Sequence, residues 1–236
     1  MLKIENTEVT GWEAAIRGMR NPMNSWEKSD SIFVEDGEYH DICGNNGPYN
    51  GTVTDTETFF EMGEKDFNLM TRLRNSGTDH RKFMRMITVY VDILAPLYWW
   101  KEFDTYKVGT VANSCSTMHK IHAKEFTLED FSCEHLLESS DADWGDVVGK
   151  SVLEHVIFSL NAYRGLYLST KDKKYWWQMI QLLPSSYNQK RTVMLNYEVL
   201  ANIYKSRRNH KLDEWHIFCD WIESLPYSEL ITGEEK

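Results

Sequence analysis

Apolar positions recur along this chain with two different periods. The clearest alternation runs from Met86 to Ile93, where Ile87, Val89, Val91 and Ile93 interleave with Met86, Thr88, Tyr90 and Asp92. That is the pattern of a strand with one buried face. Ile32–Val34 predicts a second, shorter strand. Helical spacing governs most of the rest. Residues 9–20 place Trp12, Ala15, Ile16 and Met19 on one face, and residues 56–74 carry Phe59, Phe60, Phe67 and Met70 as anchors, with Gly77 just beyond the end. Pro96 suits the first turn of a helix, where its missing N–H needs no partner. Leu97, Trp99, Trp100 and Phe103 continue that helix.

The C-terminal third reads as helical throughout. Leu153, Val156, Ile157 and Leu160 form one stripe, and 171–182 forms another helix that ends before Pro184. A third helix is predicted from about Thr192 to Arg207. The last carries Trp215, Phe218, Cys219 and Ile222 at helical spacing. Between these elements, residues 36–53 are rich in Gly, Asn and Asp and predict a long loop. Gly109 and the small polar run Asn113–Thr117 interrupt the pattern, and residues 127–146 are acidic and mostly irregular. No repeat or linker stands out. The expected architecture is α+β: one helix-rich domain spanning 1–236, with one sheet.

Composition narrows the function. Charged residues make up 26% and hydrophobic ones 42%, which are globular proportions. Aromatics reach 13%, with nine Trp, so many large rings must be buried in a core or at subunit contacts. A net charge of −10 argues against nonspecific nucleic-acid binding but leaves room for a nucleotide pocket lined by a few cations. Cys43, Cys115, Cys133 and Cys219 form no C-x-x-C pair. Scattered free thiols, and an N-terminal stretch without an apolar run, predict a cytoplasmic protein. No stretch approaches the length of a membrane span.

At 100° per residue, Asn196, Val199, Leu200, Ile203 and Arg207 fall on one stripe of the predicted 192–207 helix. Two polar groups thus bracket three apolar ones. Two readings stand side by side. In one, Asn196 caps the helix near its start and Arg207 reaches out at its end. In the other, both line a pocket and Arg207 meets an anionic oxygen.

With Leu183-Pro184 upstream, the series Asn196, Asn202, Arg207 resembles the flavin-dependent thymidylate synthases, in which a Leu-Pro, two Asn and an Arg recur at these intervals. Ile87–Leu94 leading into Ala95-Pro96 and an aromatic helix is also similar to that family. The family signature, an Arg-His-Arg triplet followed by Asn-Glu-x-Ser-x-Arg, corresponds to the stretch from Thr105 to Met118. Asn113 and Ser116 match the signature Asn and Ser. Thr105-Tyr106-Lys107 stands for the triplet, Ser114 for the Glu and Met118 for the last Arg. Two further family arginines align with Ile180 and Glu198. The resemblance spans about residues 70–222.

The resemblance implies a thymidylate synthase-complementing-protein-like fold with a mainly antiparallel sheet. It implies a cytoplasmic homotetramer with sites between subunits. The family moves a methylene carbon from a reduced folate to the uracil ring of a nucleotide such as dUMP, with FAD delivering reducing equivalents and NADPH as a co-substrate. By the same resemblance, Ser116, Arg207, Asn113 and Ser114 contact the substrate, and Asn196, Asn202, Lys107 and Arg85 contact the cofactor. No catalytic residue is assigned. Each absent arginine removes a charge-assisted hydrogen bond worth roughly 1.5–3 kcal/mol. Lys107, His119, Lys120, Arg191 and Arg208 are the candidate replacements. Glu198 puts an anion where the family has a cation. Two functions follow: an altered nucleotide-modifying flavoenzyme, or a non-catalytic relative that binds a nucleotide or a protein.

Other constellations carry less. His119-x-x-His122 and His40-x-x-Cys43 do not extend to a four-ligand metal spacing. Neither glycine-rich nucleotide loop occurs. Arg17, Arg20 and Asn21 at a helix end could cradle a phosphate.

Overall fold

The computed structural model describes residues 2–34, 59–141, 143 and 147–233. In chain order these form β1 (Lys3–Thr10), α1 (Trp12–Arg20), β2 (Ile32–Val34), β3 (Phe59–Glu61), α2 (Glu64–Asn75), β4 (Thr88–Pro96) and α3 (Leu97–Phe103). Then come β5 (Val111–Ser114), α4 (Gly149–Thr170), α5 (Lys173–Leu182), β6 (Asn188–Asn196), α6 (Tyr197–Arg207), α7 (Asp213–Glu223) and α8 (Glu229–Thr232). Four strands make one antiparallel sheet in the order β1-β4-β6-β5, and β2 and β3 form a separate pair. The expected α+β fold with a mainly antiparallel sheet is the one observed.

The alternation seen from Met86 to Ile93 holds. Ile87, Val89, Val91 and Ile93 are buried, and Tyr90 is exposed. On β6, Val193 and Leu195 are buried on the same side. Below that face lies an aromatic cluster from α3 and α7. Trp99 sits 4.9 Å from Trp100, 5.1 Å from Phe103, 4.8 Å from Trp215 and 5.6 Å from Phe218, centroid to centroid. These four partners and Trp99 itself are almost fully buried. Truncating any one to Ala would cost on the order of 3–5 kcal/mol. A second apolar cluster packs α4 against α5 through Leu153, Leu160 and Met179. It reaches the sheet through the bridge between Phe131 and Tyr187.

Several expectations need correction. The predicted 192–207 helix is two elements: β6 runs to Asn196 and the helix starts at Tyr197. Arg191-Thr-Val-Met-Leu-Asn196 satisfies both periods over so short a run, and pairing on both sides, with β4 and β5, decides for the strand. The predicted 56–74 helix begins only at Glu64, because Phe59–Glu61 pairs with Ile32–Val34. The helix predicted from residue 9 starts at Trp12, and Lys3–Thr10, not foreseen as a strand, forms one edge of the sheet. Gly11 makes that corner, with φ 90° and a Cβ position 2.1 Å from the carbonyl oxygen of Met86, so no larger residue fits. The break foreseen at Asn113 is in part the edge strand β5. The predicted 36–53 loop lies outside the described residues.

Arg20, foreseen as a possible phosphate ligand, is instead a structural tie. Its guanidinium is 4% exposed and binds Asp66, itself fully buried, as well as the carbonyls of Ser25 and Lys28. Burial alone would raise the Asp66 carboxyl, but hydrogen bonds from Ser29, Ser31, Arg20 and the Asp30 N–H outweigh it and hold it below the usual range. A carboxyl depressed in the folded state adds stability that is present above its unfolded value near 4 and is lost as pH falls through the lower folded value. Asp66→Asn is therefore expected to cost about 3 kcal/mol or more at pH 7, since it strands a buried guanidinium. It should also flatten the loss of stability below pH 4. Urea unfolding at pH 7 and pH 3 checks both; an unchanged midpoint at pH 7 contradicts the assignment.

Candidate functional site

Arg207 ends α6 and turns inward, toward α3 and α7. Its Nη1 donates to Glu102 Oε2 at 2.5 Å and its Nε to the Tyr106 hydroxyl at 2.9 Å. The guanidinium carbon lies 4.9 Å from the ring of Trp215 and 5.6 Å from that of Tyr106. Glu102 Oε2 also accepts from Trp215 Nε1 at 3.2 Å and lies 3.2 Å from His210 Nε2. One carboxylate oxygen thus gathers a cation, an indole and an imidazole, while Oε1 accepts no hydrogen bond among the described residues. Arg207 neither reaches out at the helix end nor stands as a free cation. Asn196 does what the simpler reading foresaw. It is the N-cap of α6, its Oδ1 accepting from Val199 N at 3.1 Å.

A second carboxylate, Glu198, sits in the first turn of α6. Glu198 pairs with Arg85 and, at 3.3 Å, with Arg81, both from the 310 turn before β4. Arg81 Nη2 also donates to Asn202 Oδ1 at 3.2 Å. Burial would raise the Glu198 carboxyl, but the hydrogen bonds and charges of Arg85 and Arg81 outweigh it and hold it below the usual glutamate range. The anion at this position is thus matched by two arginines of the facing element.

The edge strand β5 splits two of the candidate residues. Asn113 stands opposite Thr192, which stands opposite Asp92, and the Thr192 hydroxyl donates to Asp92 at 2.6 Å on the outer face of the sheet. Ser114 stands opposite Arg191, so it points to the other face. Arg191 lies flat over Trp100 at 4.1 Å and pairs with Asp104 at 2.7 Å. Gln189 accepts from Arg191 Nε and donates to the Cys115 carbonyl at 2.7 Å. Ser116 Oγ closes its own turn by accepting from the N–H groups of Met118 and His119, at 3.3 and 2.8 Å. Asn113, Ser114, Ser116 and Lys107 are all exposed.

The fold therefore brings the candidates together in pairs. Arg85 and Asn202 meet around Glu198. Asn196 meets the loop after Lys107, where a Cβ on Gly109 (φ 79°) would come within 2.9 Å of Asn196 Nδ2. Ser116 makes no hydrogen bond with Arg207 among the described residues. Of the candidate replacement cations, Arg191 is held by Asp104, and Arg208 by Glu223. The sequence pointed to neither Glu102 nor His210, and to Tyr106 only as part of the stretch standing for the signature triplet, not as a partner of Arg207. No periodicity ties Glu102 to a residue 105 positions later, and its place on an aromatic helix resembles that of any solvated glutamate.

A flavin fits part of this arrangement. Arg85 is half exposed and its pair with Glu198 is of the surface kind, worth about 0–1 kcal/mol, so a phosphate could displace it. Asn202 keeps its amide nitrogen free, and Lys107 is open. Asn196 offers little, because its oxygen caps the helix and its nitrogen lies under Gly109. Among the described residues no cluster of three or more metal-ligating groups occurs, and no helix is long and apolar enough to cross a membrane.

The architecture is that of the flavin-dependent thymidylate synthases. No family profile matches the chain, and no curated protein matches it by sequence. Among solved structures it is similar to the flavin-dependent thymidylate synthase ThyX of Helicobacter pylori, crystallised with FAD and dUMP. The TM-score is 0.64 and the identity 17%, over 99% of this chain and 100% of that one. It is also similar to PolB of Streptomyces cacaoi, a UMP/dUMP methylase bound to 5-Br dUMP. There the TM-score is 0.55 and the identity 12%, over 99% of this chain and 95% of that one. At such identities the likeness is one of fold.

The two carboxylates should respond differently to removal. Glu198→Ala is expected to cost about 1 kcal/mol or less, because Arg85, half exposed, can return to water and Arg81 keeps Asn202 as an acceptor. Glu102→Ala should cost about 2 kcal/mol, because Arg207 and the Trp215 indole lose their shared acceptor while partly buried. Urea unfolding of both variants checks this; equal losses would contradict the distinction.

Proposed function

We propose that the protein modifies the base of a pyrimidine nucleotide, by methyl or one-carbon transfer to a uracil nucleotide, with FAD as its redox partner. The observation that carries this reading is the end-to-end likeness to two enzymes of that chemistry, one crystallised with FAD and dUMP and the other bound to 5-Br dUMP. In this reading Arg207 binds the nucleotide, and Ser116, Asn113 and Ser114 complete its binding from the β5 edge. Asn202, Arg85 and Lys107 hold the flavin, while Asn196 keeps its capping role in α6. Bound there, the flavin supplies the reducing equivalents that convert a transferred methylene carbon into a methyl group. A reduced folate is the carbon donor, and NADPH restores the reductant.

Glu102 shapes what Arg207 can do. Its charge offsets the guanidinium, and the rings of Tyr106 and Trp215 fix the plane of that group. Arg207 thus presents an oriented donor with little net field. The 104–110 segment, pinned by Asp104 to Arg191, shields Asn196 from water.

Sites completed between subunits, as the resemblance implies, need an apolar face that a second copy can cover. Val152, Phe158 and Leu166 share one stripe of α4 with Ser159 and Ala162 and are 50%, 75% and 42% exposed. Such a stripe fits burial in a homotetramer.

A second reading has its own support. Glu198 and Glu102 already occupy Arg85, Arg81 and Arg207, as they would in a non-catalytic relative that binds a nucleotide or a protein without flavin. Size-exclusion chromatography with light scattering and absorbance from 300 to 550 nm separates the two, on protein purified with and without added FAD. The enzyme reading predicts a tetramer carrying flavin bands near stoichiometry. A monomer, or a colourless protein that takes up no FAD, would overturn it in favour of the second reading.

A further inference from the structure

The tip of the α4–α5 hairpin concentrates rings and cations in a chain that is otherwise acidic. From Lys171 to Trp177 the sequence reads Lys-Asp-Lys-Lys-Tyr-Trp-Trp. Lys171 ends α4 in the left-handed conformation, φ 59°, a position usually given to Gly or Asn. Asp172 then caps α5 by accepting from Lys174 N at 2.9 Å, so the turn is short and its side chains converge. Lys173 Nζ lies 5.7 Å from the Trp177 ring and 5.9 Å from the Trp176 ring, and Lys171 Nζ lies 5.8 Å from Tyr167. The two Trp rings meet edge to face at 4.8 Å.

The two indoles have different duties. Trp176 Nε1 donates to the Met118 carbonyl at 3.0 Å, which ties the tip to the Ser116–His119 turn and fixes the ring. Trp177 packs against that fixed ring but is 44% exposed, and its indole N–H meets no acceptor among the described residues. Lys174 has Asp172 as a partner at 3.1 Å. Lys171 and Lys173 have no carboxylate partner among the described residues. A part-open indole with the Lys173 ammonium beside it, and the Lys171 ammonium at the turn over Tyr167, offers a stacking surface with phosphate contacts near it. Single-stranded nucleic acid has that chemistry: a π-face on every base and a phosphate one step away.

We propose that this tip binds single-stranded nucleic acid, with a base stacked on Trp177 and neighbouring phosphates met by Lys171 and Lys173. The surface adjoins the Ser116–His119 turn through Trp176, uses none of the proposed nucleotide contacts itself, and does not depend on the activity assigned to them. The chain's net charge of −10 keeps the interaction weak and confines it to the tip. Two phosphate contacts on a single strand predict a slope of about −1.4 for log affinity against log salt.

The test is fluorescence anisotropy of a labelled fifteen-residue oligo(dT) titrated with the intact protein at low salt. Saturable binding with a slope near −1.4 is expected. Trp177→Ala and the double variant Lys171→Gln/Lys173→Gln should each weaken it about 10-fold or more. Unlabelled dTMP should compete only at concentrations at least 10-fold above those of unlabelled oligo(dT), which separates a strand from a lone nucleotide. No binding, unaltered binding by both variants, or equal competition by dTMP would overturn the proposal. So would a change in light-scattering mass for Trp177→Ala, which would assign the ring to a contact between copies. Loss of dUMP binding with oligo(dT) binding intact would strike the proposed function and leave this surface standing.

Discussion

The carboxylate of Glu102 is the point on which the candidate site depends. It draws donors from Arg207 on α6 and Trp215 on α7, lies beside His210 in the turn between them, and itself belongs to α3. Three helices are therefore registered against one another by a single oxygen. The aromatic cluster beneath it, with Trp99 in contact with Trp215 and Phe218, gives the apolar half of the same junction. Without the carboxylate, the Trp215 indole N–H would be left buried without its acceptor and the guanidinium would keep only the Tyr106 hydroxyl, which costs more than most hydrogen bonds return. Arg207 is thus oriented and charge-balanced by the chain itself.

Glu198 plays a related part with a different cost. It is the more buried of the two, 12% exposed against 35% for Glu102, and it balances two arginines, of which Arg85 is half exposed and Arg81 keeps Asn202 as a second acceptor. Together the two glutamates pair with Arg81, Arg85 and Arg207 across facing elements and order the polar surface around α6.

Much of the fold was legible because its signals were long and one-sided. The buried alternation from Ile87 to Ile93 and the stripe from Trp215 to Ile222 have one period each and no rival. The 192–207 segment was not, because Val193, Met194 and Leu195 satisfy both periods, and only pairing with β4 and β5 makes them strand. Phe59 and Phe60 failed for the same reason: three residues are too few to declare a period. At the site, Asn196 and Arg207 were found by spacing, yet their shared stripe was a product of the wrong helix. The pairing of Glu102 and Tyr106 with Arg207 was invisible because it lies in contacts across about a hundred residues, for which a local pattern carries no signal. The lysine–tryptophan tip was visible as composition but not as a surface, since only the turn at Lys171 brings its rings and cations together.

The account stands most directly on whether Arg207 receives a pyrimidine nucleotide. Trp215 lies 4.9 Å from its guanidinium and reports on it. Tryptophan fluorescence followed during dUMP titration, on the parent and on Arg207→Lys, is the decisive measurement. The account predicts a saturable change in the parent and at least about a 10-fold weaker response in the variant, whose ammonium cannot reproduce the planar donor. A parent that gives no response, or a variant that binds dUMP as well as the parent, would contradict it.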